Sequence, residues 1–342
     1  MHLLSRRLLP VLQLTRMALV FTAIADSQCE LLLGWARRGD AQGALFIPAA
    51  QVLSILLVSI GLYGFGMSLN DIIDRRRDAQ IAAGRPLPSG RIGLVTAHVI
   101  CILLALAALL AGAHYARISH HHGILSFLLV IGTGLLIAFY DAAGKYLVAP
   151  GLLSLGFIRF CHAAVPSPEL PVLWHPLLLL NHVTILSTIA YVWEAKRPAL
   201  TKLHWWGVLG GLGLLDALAM AVVAWRRYDG SIPEALGLTY GLLLPAGAVL
   251  LFVALGAYVR RSLPTRRAAG QKLMLFGLLW LIVYDACFAG VYVNWVAGLI
   301  LLALLPVAWF SVQLMRWWSQ LLTLSQRPQF QRAGRTGNGE TR

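Results

Sequence analysis

Charge is scarce in this chain. Of 342 residues only 12% are charged, and acids are scarcer than bases, 14 against 28. With 58% apolar residues and a mean hydropathy of +0.73, the apolar surface exceeds what one water-facing core buries. That excludes a soluble globular protein and implies a polytopic membrane protein. Cysteine is nearly absent too: Cys29, Cys101, Cys161 and Cys287 stand singly in or at the edge of apolar runs, a pattern that suggests neither a disulfide framework nor a zinc site. A concentrated basic stripe is also missing. The net charge of +14 is spread over many short segments, which reads as anchoring to the inner leaflet and excludes nucleic acid as a partner.

What the chain does have is long apolar runs. They lie at roughly 10–34, 46–69, 93–114, 123–140, 147–165, 171–193, 205–225, 237–259, 272–290 and 294–316, each near the ~20 residues a bilayer core requires. The expected fold is therefore all-α, a polytopic bundle of nine or ten transmembrane helices. The fifth run is short and carries Arg159, and only "YVN" at 292–294 divides the last two. With ten helices and a cytoplasmic N-terminus, Arg37, Arg38, Arg117, Arg226 and Arg227 fall outside, Arg159 falls within the bilayer, and every other basic residue falls inside, as the positive-inside bias demands. The first run has a twin-arginine look, but Arg16 interrupts it and no small-residue cleavage site follows, so an uncleaved first helix is expected. Residues 1–320 form the membrane domain in this reading. The polar, Gly-rich segment 321–342 is expected to be a disordered tail.

One segment concentrates the missing charge: "NDIIDRRRDAQIAAGRPLPSG", Asn70 to Gly90. Asp71, Asp74 and Asp78 are spaced three and four apart, which aligns them on one face of a helix leaving the second span. Three such carboxylates repel unless a cation lies among them, and all-oxygen ligands suit Mg²⁺, which completes its shell with water and phosphate oxygens. A plainer alternative is a solvated helix cap in which Arg75, Arg76 and Arg77 neutralise the acids. In "GRPLPSG" two prolines stiffen a turn that presents Arg85 beside the acids, and a guanidinium next to metal-binding carboxylates is what a diphosphate needs.

The segment resembles the first aspartate-rich motif of the UbiA family of intramembrane prenyltransferases, N-D-x-x-D-x-x-x-D followed by R-P-L-P-S-G. Asn70, Asp71, Asp74, Asp78, Arg85, Pro86, Leu87, Pro88, Ser89 and Gly90 all fit it. The resemblance implies a helical bundle around a central cavity, with acidic motifs at the cytoplasmic ends of the second and sixth helices holding Mg²⁺ and the diphosphate of an isoprenoid donor. It also implies substrate contacts from Tyr140 and Lys145 in "FYDAAGKYLVAPGLL". The second motif, T-I-Y-A-x-x-D-x-x-D-D, is degenerate here: "STIAYVWEAKRP" keeps Thr188, Ile189 and a first acid, Glu194, but Lys196, Arg197 and Pro198 follow where further acids belong.

The expected metal ligands are Asp71, Asp74, Asp78 and Glu194. Asn70, Arg85, Tyr140, Lys145, Arg159, Lys196 and Arg197 would contact substrate, and Asp71, Asp74, Lys145 and Arg159 would carry catalysis. Arg159, costly at membrane depth, is assigned to the polar interior. Asp26, Asp216 and Asp285 are read as interior hydrogen-bond partners between helices, and "SHHHG" around His120–His122 as a surface cluster away from the motifs. The implied activity is Mg²⁺-dependent prenyl transfer from a polyprenyl diphosphate to a small aromatic or lipid acceptor, in a bacterial inner membrane with the acidic motifs on the cytoplasmic side. The departures are similar to the divergent EboC-like group. The alternative is a non-enzymatic carrier of a lipid or aromatic metabolite with a damaged second metal site.

Overall fold

Where water is absent, every backbone N–H and C=O must be satisfied within the protein, and a helix does so inside its own segment. The computed structural model describes residues 2–42, 47–119 and 123–326, and it has helices and no strand among them. The helices are α1 (His2–Leu14), α2 (Val20–Gln42), α3 (Ala49–Ile81), α4 (Leu94–Ile118), α5 (Gly123–Ala142), α6 (Val148–Ala164), α7 (Trp174–Trp193), α8 (Lys202–Arg227), α9 (Ile232–Leu236), α10 (Leu243–Ser262), α11 (Arg266–Tyr292), α12 (Trp295–Leu302) and α13 (Leu304–Gln326). Leu103, Leu110, Leu135, Leu250 and Phe310 point outward while Ser27, Ser59 and His162 form a buried hydrogen-bonded chain. The outside is apolar and the inside partly polar, so the chain is an integral membrane protein.

Among the described residues nine segments are long and apolar enough to span a bilayer. Helix α6, at about 25 Å, falls short by length, but its ends show that it crosses. Its first turn lies against the loop after α5, where a Cβ at Gly151 would sit 2.5 Å from the Gly144 carbonyl oxygen. Just past its last turn, the Pro166 carbonyl accepts a 2.7 Å hydrogen bond from Tyr115 at the far end of α4. With α6 counted, ten crossings result among the described residues, an even number that sets α1 and the end of α13 on the same side.

Two features depart from the expected spans. The first apolar run is not one helix: Arg16 adopts a left-handed conformation (φ 47°) between α1 and a short 3₁₀ turn that leads into α2. This break lets the Arg16 guanidinium reach Asp71 instead of entering lipid. Helix α1 therefore packs, through Val11 and Leu14, over Ile72, Leu87, Ile92 and Ala97 at the end of the bundle that carries the acidic segment. At the other weak boundary, Asn294 caps α12 by accepting from the Ala297 N–H at 2.8 Å, so "YVN" is a true helix break. Helix α13 continues six residues past the expected limit of the membrane domain. The rest of the expected tail and the His120–His122 cluster lie outside the described residues.

Small residues bring the central helices into contact. A Cβ at Gly61 would lie 2.7 Å from the Leu104 carbonyl, joining α3 to α4, and one at Gly156 would lie 2.4 Å from the Leu180 carbonyl, joining α6 to α7. With Gly66, whose Cβ would lie 2.9 Å from the Ile137 side chain of α5, they fix α3 and α5, whose cytoplasm-expected ends bear the candidate site.

Candidate active site

Helix α3 runs for 33 residues because nothing breaks it before Ala82, so its last two turns project the acidic ladder beyond the apolar part of the span. Asp71 and Asp78 are buried and Asp74 is nearly so. Their cations come from other segments and not from the arginine triplet. Arg16, before α2, lies 3.3 Å from Asp71. Arg85, presented by the Pro-rich turn, bonds Asp78 and lies 3.5 Å from Asp71. Lys145, in the turn after α5, bonds Asp74 at 2.8 Å. Arg76 and Arg77 face outward. The turn itself is held by Ser89, whose hydroxyl donates to the Arg85 carbonyl at 2.6 Å, and by Arg91, which reaches Gln13 of α1 at 2.8 Å. Burial lowers the Arg91 pKa from its ordinary value.

A fourth acid joins the ladder. Asp141, one residue before the end of α5, is buried, and it lies in the electrostatic field of Lys145, Asp74, Arg16 and Asp71. Its Oδ1 has no hydrogen-bond partner, and neither has the buried Oδ1 of Asn70. Arg16, Arg85 and Lys145 thus answer three carboxylates, leaving one carboxylate and one amide oxygen unmatched. Buried polar oxygens are rarely left without partners. A hard divalent cation with oxygen ligands fits this donor set, and Mg²⁺, which binds one or two carboxylates and keeps its remaining positions for water and phosphate, fits it best.

Asn70, Asp71, Asp74, Asp78, Arg85 and Lys145 therefore converge as the sequence implies, and Tyr140 shares the field of Asp74 and Arg16. Arg159 does not join them. Its guanidinium bonds Asp26 at 2.5 Å and Thr22 at 2.9 Å on α2, which supplies the partner its depth requires. Tyr63 on α3 lies within the electrostatic reach of both Arg159 and Arg16. Glu194 closes α7 and pairs with Lys196 at 3.2 Å, while Arg197 is exposed. Among the described residues no ion pair or hydrogen bond joins this segment to the ladder. Asp216 accepts from Asn181 at 2.9 Å, a link between α7 and α8. Sequence reasoning missed Arg16 and Asp141 as site residues. Each had a signal: a lone cation interrupting an apolar run, and an acid beside Tyr140 at the end of another.

Residues 41–165 match the UbiA prenyltransferase family model. Over 108 residues the chain is 32% identical to the digeranylgeranylglyceryl phosphate synthase of Methanothermobacter thermautotrophicus, a match covering 31% of this chain and 36% of that protein. The chain thus spans about a third of the length of that relative. A solved structure of a digeranylgeranylglyceryl phosphate synthase shares the fold, with a TM-score of 0.56 and 17% identity over 84% of this chain and 99% of that one. A UbiA homologue from Archaeoglobus fulgidus, solved with DMAPP and Mg²⁺, matches at a TM-score of 0.43 and 14% identity over 89% of this chain and 99% of its own. The resemblance carried by residues 70–90 is borne out: that segment lies inside the region that matches the UbiA prenyltransferase family model.

Proposed function

We propose that this protein is an intramembrane prenyltransferase, moving a prenyl group from a polyprenyl diphosphate to a small aromatic or lipid acceptor with Mg²⁺ as cofactor. The observation that carries the reading is the buried ladder of Asp71, Asp74 and Asp141, with the Asp141 and Asn70 Oδ1 atoms unmatched, set among three cations drawn from three separate segments. Asp71, Asp74, Asp141 and the Asn70 amide oxygen would hold the metal, with Asp78 fixing Arg85 beside it. Bound Mg²⁺ would neutralise charge on the diphosphate oxygens as the leaving group departs. Lys145, Arg85 and Arg16 meet the remaining phosphoryl oxygens, and preorganised cations aimed at accumulating charge are the main source of rate. The bond between the allylic carbon and the diphosphate oxygen breaks, and its electron pair leaves with the diphosphate. The acceptor's electron pair then forms the new bond to that carbon, and the acceptor loses a proton. Tyr63 and Tyr140 can face the cationic carbon with their rings, and the dry bundle keeps water from trapping it.

Arg159, neutralised by Asp26, serves the acceptor end of the interior. Lys196 and Arg197 meet the diphosphate from the rim, and Glu194 holds Lys196 in place. The basic bias supports a cytoplasmic setting for this end of the bundle, and the membrane we propose is a bacterial inner membrane. The decisive experiment is diphosphate release from farnesyl and geranylgeranyl diphosphate by the purified protein in detergent, with Mg²⁺ or EDTA, over a panel of acceptors. Mg²⁺-dependent release supports the enzyme. The weakened second motif favours one other reading, a carrier, and Mg²⁺-dependent donor binding without release on any acceptor would replace the enzyme with it.

A further inference from the structure

A second cluster of acids lies in the opposite half of the bundle, outside the proposed reaction. Helix α2 aligns Thr22, Asp26, Cys29 and Glu30 on its interior face, at the spacing of successive turns. His175, in the first turn of α7, donates to or accepts from Glu30 Oε2 through Nδ1 at 2.8 Å and from Asp285 Oδ1 of α11 through Nε2 at 2.8 Å. The Cys29 thiol lies against the Asp285 backbone carbonyl at 3.3 Å. Asp26, Cys29, Glu30, His175 and Asp285 are all completely buried, and the edge of the Phe288 ring seals the imidazole.

The charges do not balance. Three buried carboxylates have one guanidinium, Arg159, and one imidazole as direct partners. Asp26 and Asp285 face each other side chain to side chain, yet Asp26 Oδ1, Asp285 Oδ2 and Glu30 Oε1 have no hydrogen-bond partner. Two carboxylates cannot share a dry space without a cation or a proton between them. The Cys29 sulfur, a His175 nitrogen and an Asp285 oxygen lie within 4.8 Å of one another. Tetrahedral zinc sets such ligands about 3.3–3.8 Å apart, so the His175 Nε2–Asp285 Oδ1 pair opens by about half an ångström, the Cys29 sulfur closes in, and Asp26, outside that set, brings its unpartnered Oδ1 to it.

We propose that α2, α7 and α11 hold a zinc-class divalent cation, with Cys29 Sγ, His175 Nε2 and the carboxylates of Asp285 and Asp26 as its four ligands. Thiolate with imidazole selects a borderline-soft ion over Mg²⁺. Glu30, already on Nδ1, is the carboxylate that would fix the ring tautomer, as metal-bound histidines require. On binding, the cysteine gives up its thiol proton to solvent and His175 binds as the neutral ring. Four protein ligands leave no open position, so the metal is structural. It ties three helices together, and through Asp26 it fixes the far side of Arg159.

The test is the metal content of the full-length protein, purified in detergent and dialysed against EDTA, and Co²⁺ loading of a second sample stripped of its metal at low pH. The expected result is about one zinc per chain, retained through dialysis, and a thiolate-to-cobalt charge-transfer band after substitution. Cys29→Ser should lose the band, and His175→Gln should lose the metal. Cys161→Ser and the Asp71→Ala, Asp74→Ala pair should keep both. Wild-type protein with neither zinc nor cobalt uptake would overturn the proposal and leave a proton shared between Asp26 and Asp285. Cobalt bound without the thiolate band, or zinc lost with the Asp71 and Asp74 pair, would overturn it equally, and these readings do not depend on any variant of the cluster folding.

Discussion

The two ends of the bundle handle buried acid differently. At the end covered by α1, each of Asp71, Asp74 and Asp78 is answered by a cation from another segment, and the ladder sits where solvent and substrate can reach it, with Arg16 and Arg85 more than a third exposed. In the opposite half, Asp26, Glu30 and Asp285 are sealed, with one guanidinium and one imidazole among them. A site that must admit and release a diphosphate needs exchangeable cations at its edge. A sealed group cannot turn over, and it can only hold something permanently. The oxygen-only donors of the first and the mixed sulfur, nitrogen and oxygen donors of the second follow the same division.

The comparison breaks most directly if the ladder is dispensable. Asp71→Ala with Asp74→Ala should lower Mg²⁺-dependent diphosphate release by about 10³-fold or more, the scale of losing preorganised charge stabilisation, with helicity and chromatographic behaviour unchanged. EDTA should do the same to the wild type. Activity persisting in either case would remove the ladder from the reaction. In the sealed half the expected loss is of stability. Arg159→Met leaves Asp26 buried without its guanidinium and should cost about 3–5 kcal/mol in detergent unfolding. If Arg159→Met instead leaves stability intact and alters only the KM of the acceptor, the residue belongs to the substrate and not to the wall.

Asp141 sharpens the first half of the comparison, because it is the acid without a cation. Asp141→Asn keeps the shape of the side chain and should lower turnover about 10- to 100-fold while raising the Mg²⁺ concentration needed for half-maximal rate. An unchanged Mg²⁺ dependence would mean that the unmatched oxygen is not a ligand.

The unequal legibility of the two halves has a physical cause. The ladder was readable because Asp71, Asp74 and Asp78 lie within one helical face and the turn bearing Arg85 follows at once, so local spacing encodes the site. Nine or ten crossings were readable from run length; among the described residues nine segments are long enough, and the ends of α6, the short one, pack at opposite ends of the bundle. Arg16 and Asp141 reach the ladder through tertiary packing, which spacing does not encode. The cluster of Asp26, Cys29, Glu30, His175 and Asp285 draws on three helices separated by more than a hundred residues at each step, so no motif announces it. The same holds for the first span: hydropathy alone runs through Arg16, and only the partner at Asp71 explains why the helix stops there.

The smallest expected effect concerns the degenerate second motif. Lys196 is half exposed and paired, among the described residues, with Glu194, and Arg197 is exposed at the same end of the bundle. Rim charges of this kind contribute at most about 1 kcal/mol, so Lys196→Ala with Arg197→Ala should raise the KM for the prenyl diphosphate about two- to fivefold and leave kcat in place. A hundredfold fall in kcat would mean that this segment closes on the diphosphate when substrate binds, and that cations there have taken over the work of the missing acids. No change in KM would confine diphosphate binding to Arg16, Arg85 and Lys145. A one-sided ladder would then be enough for the reaction.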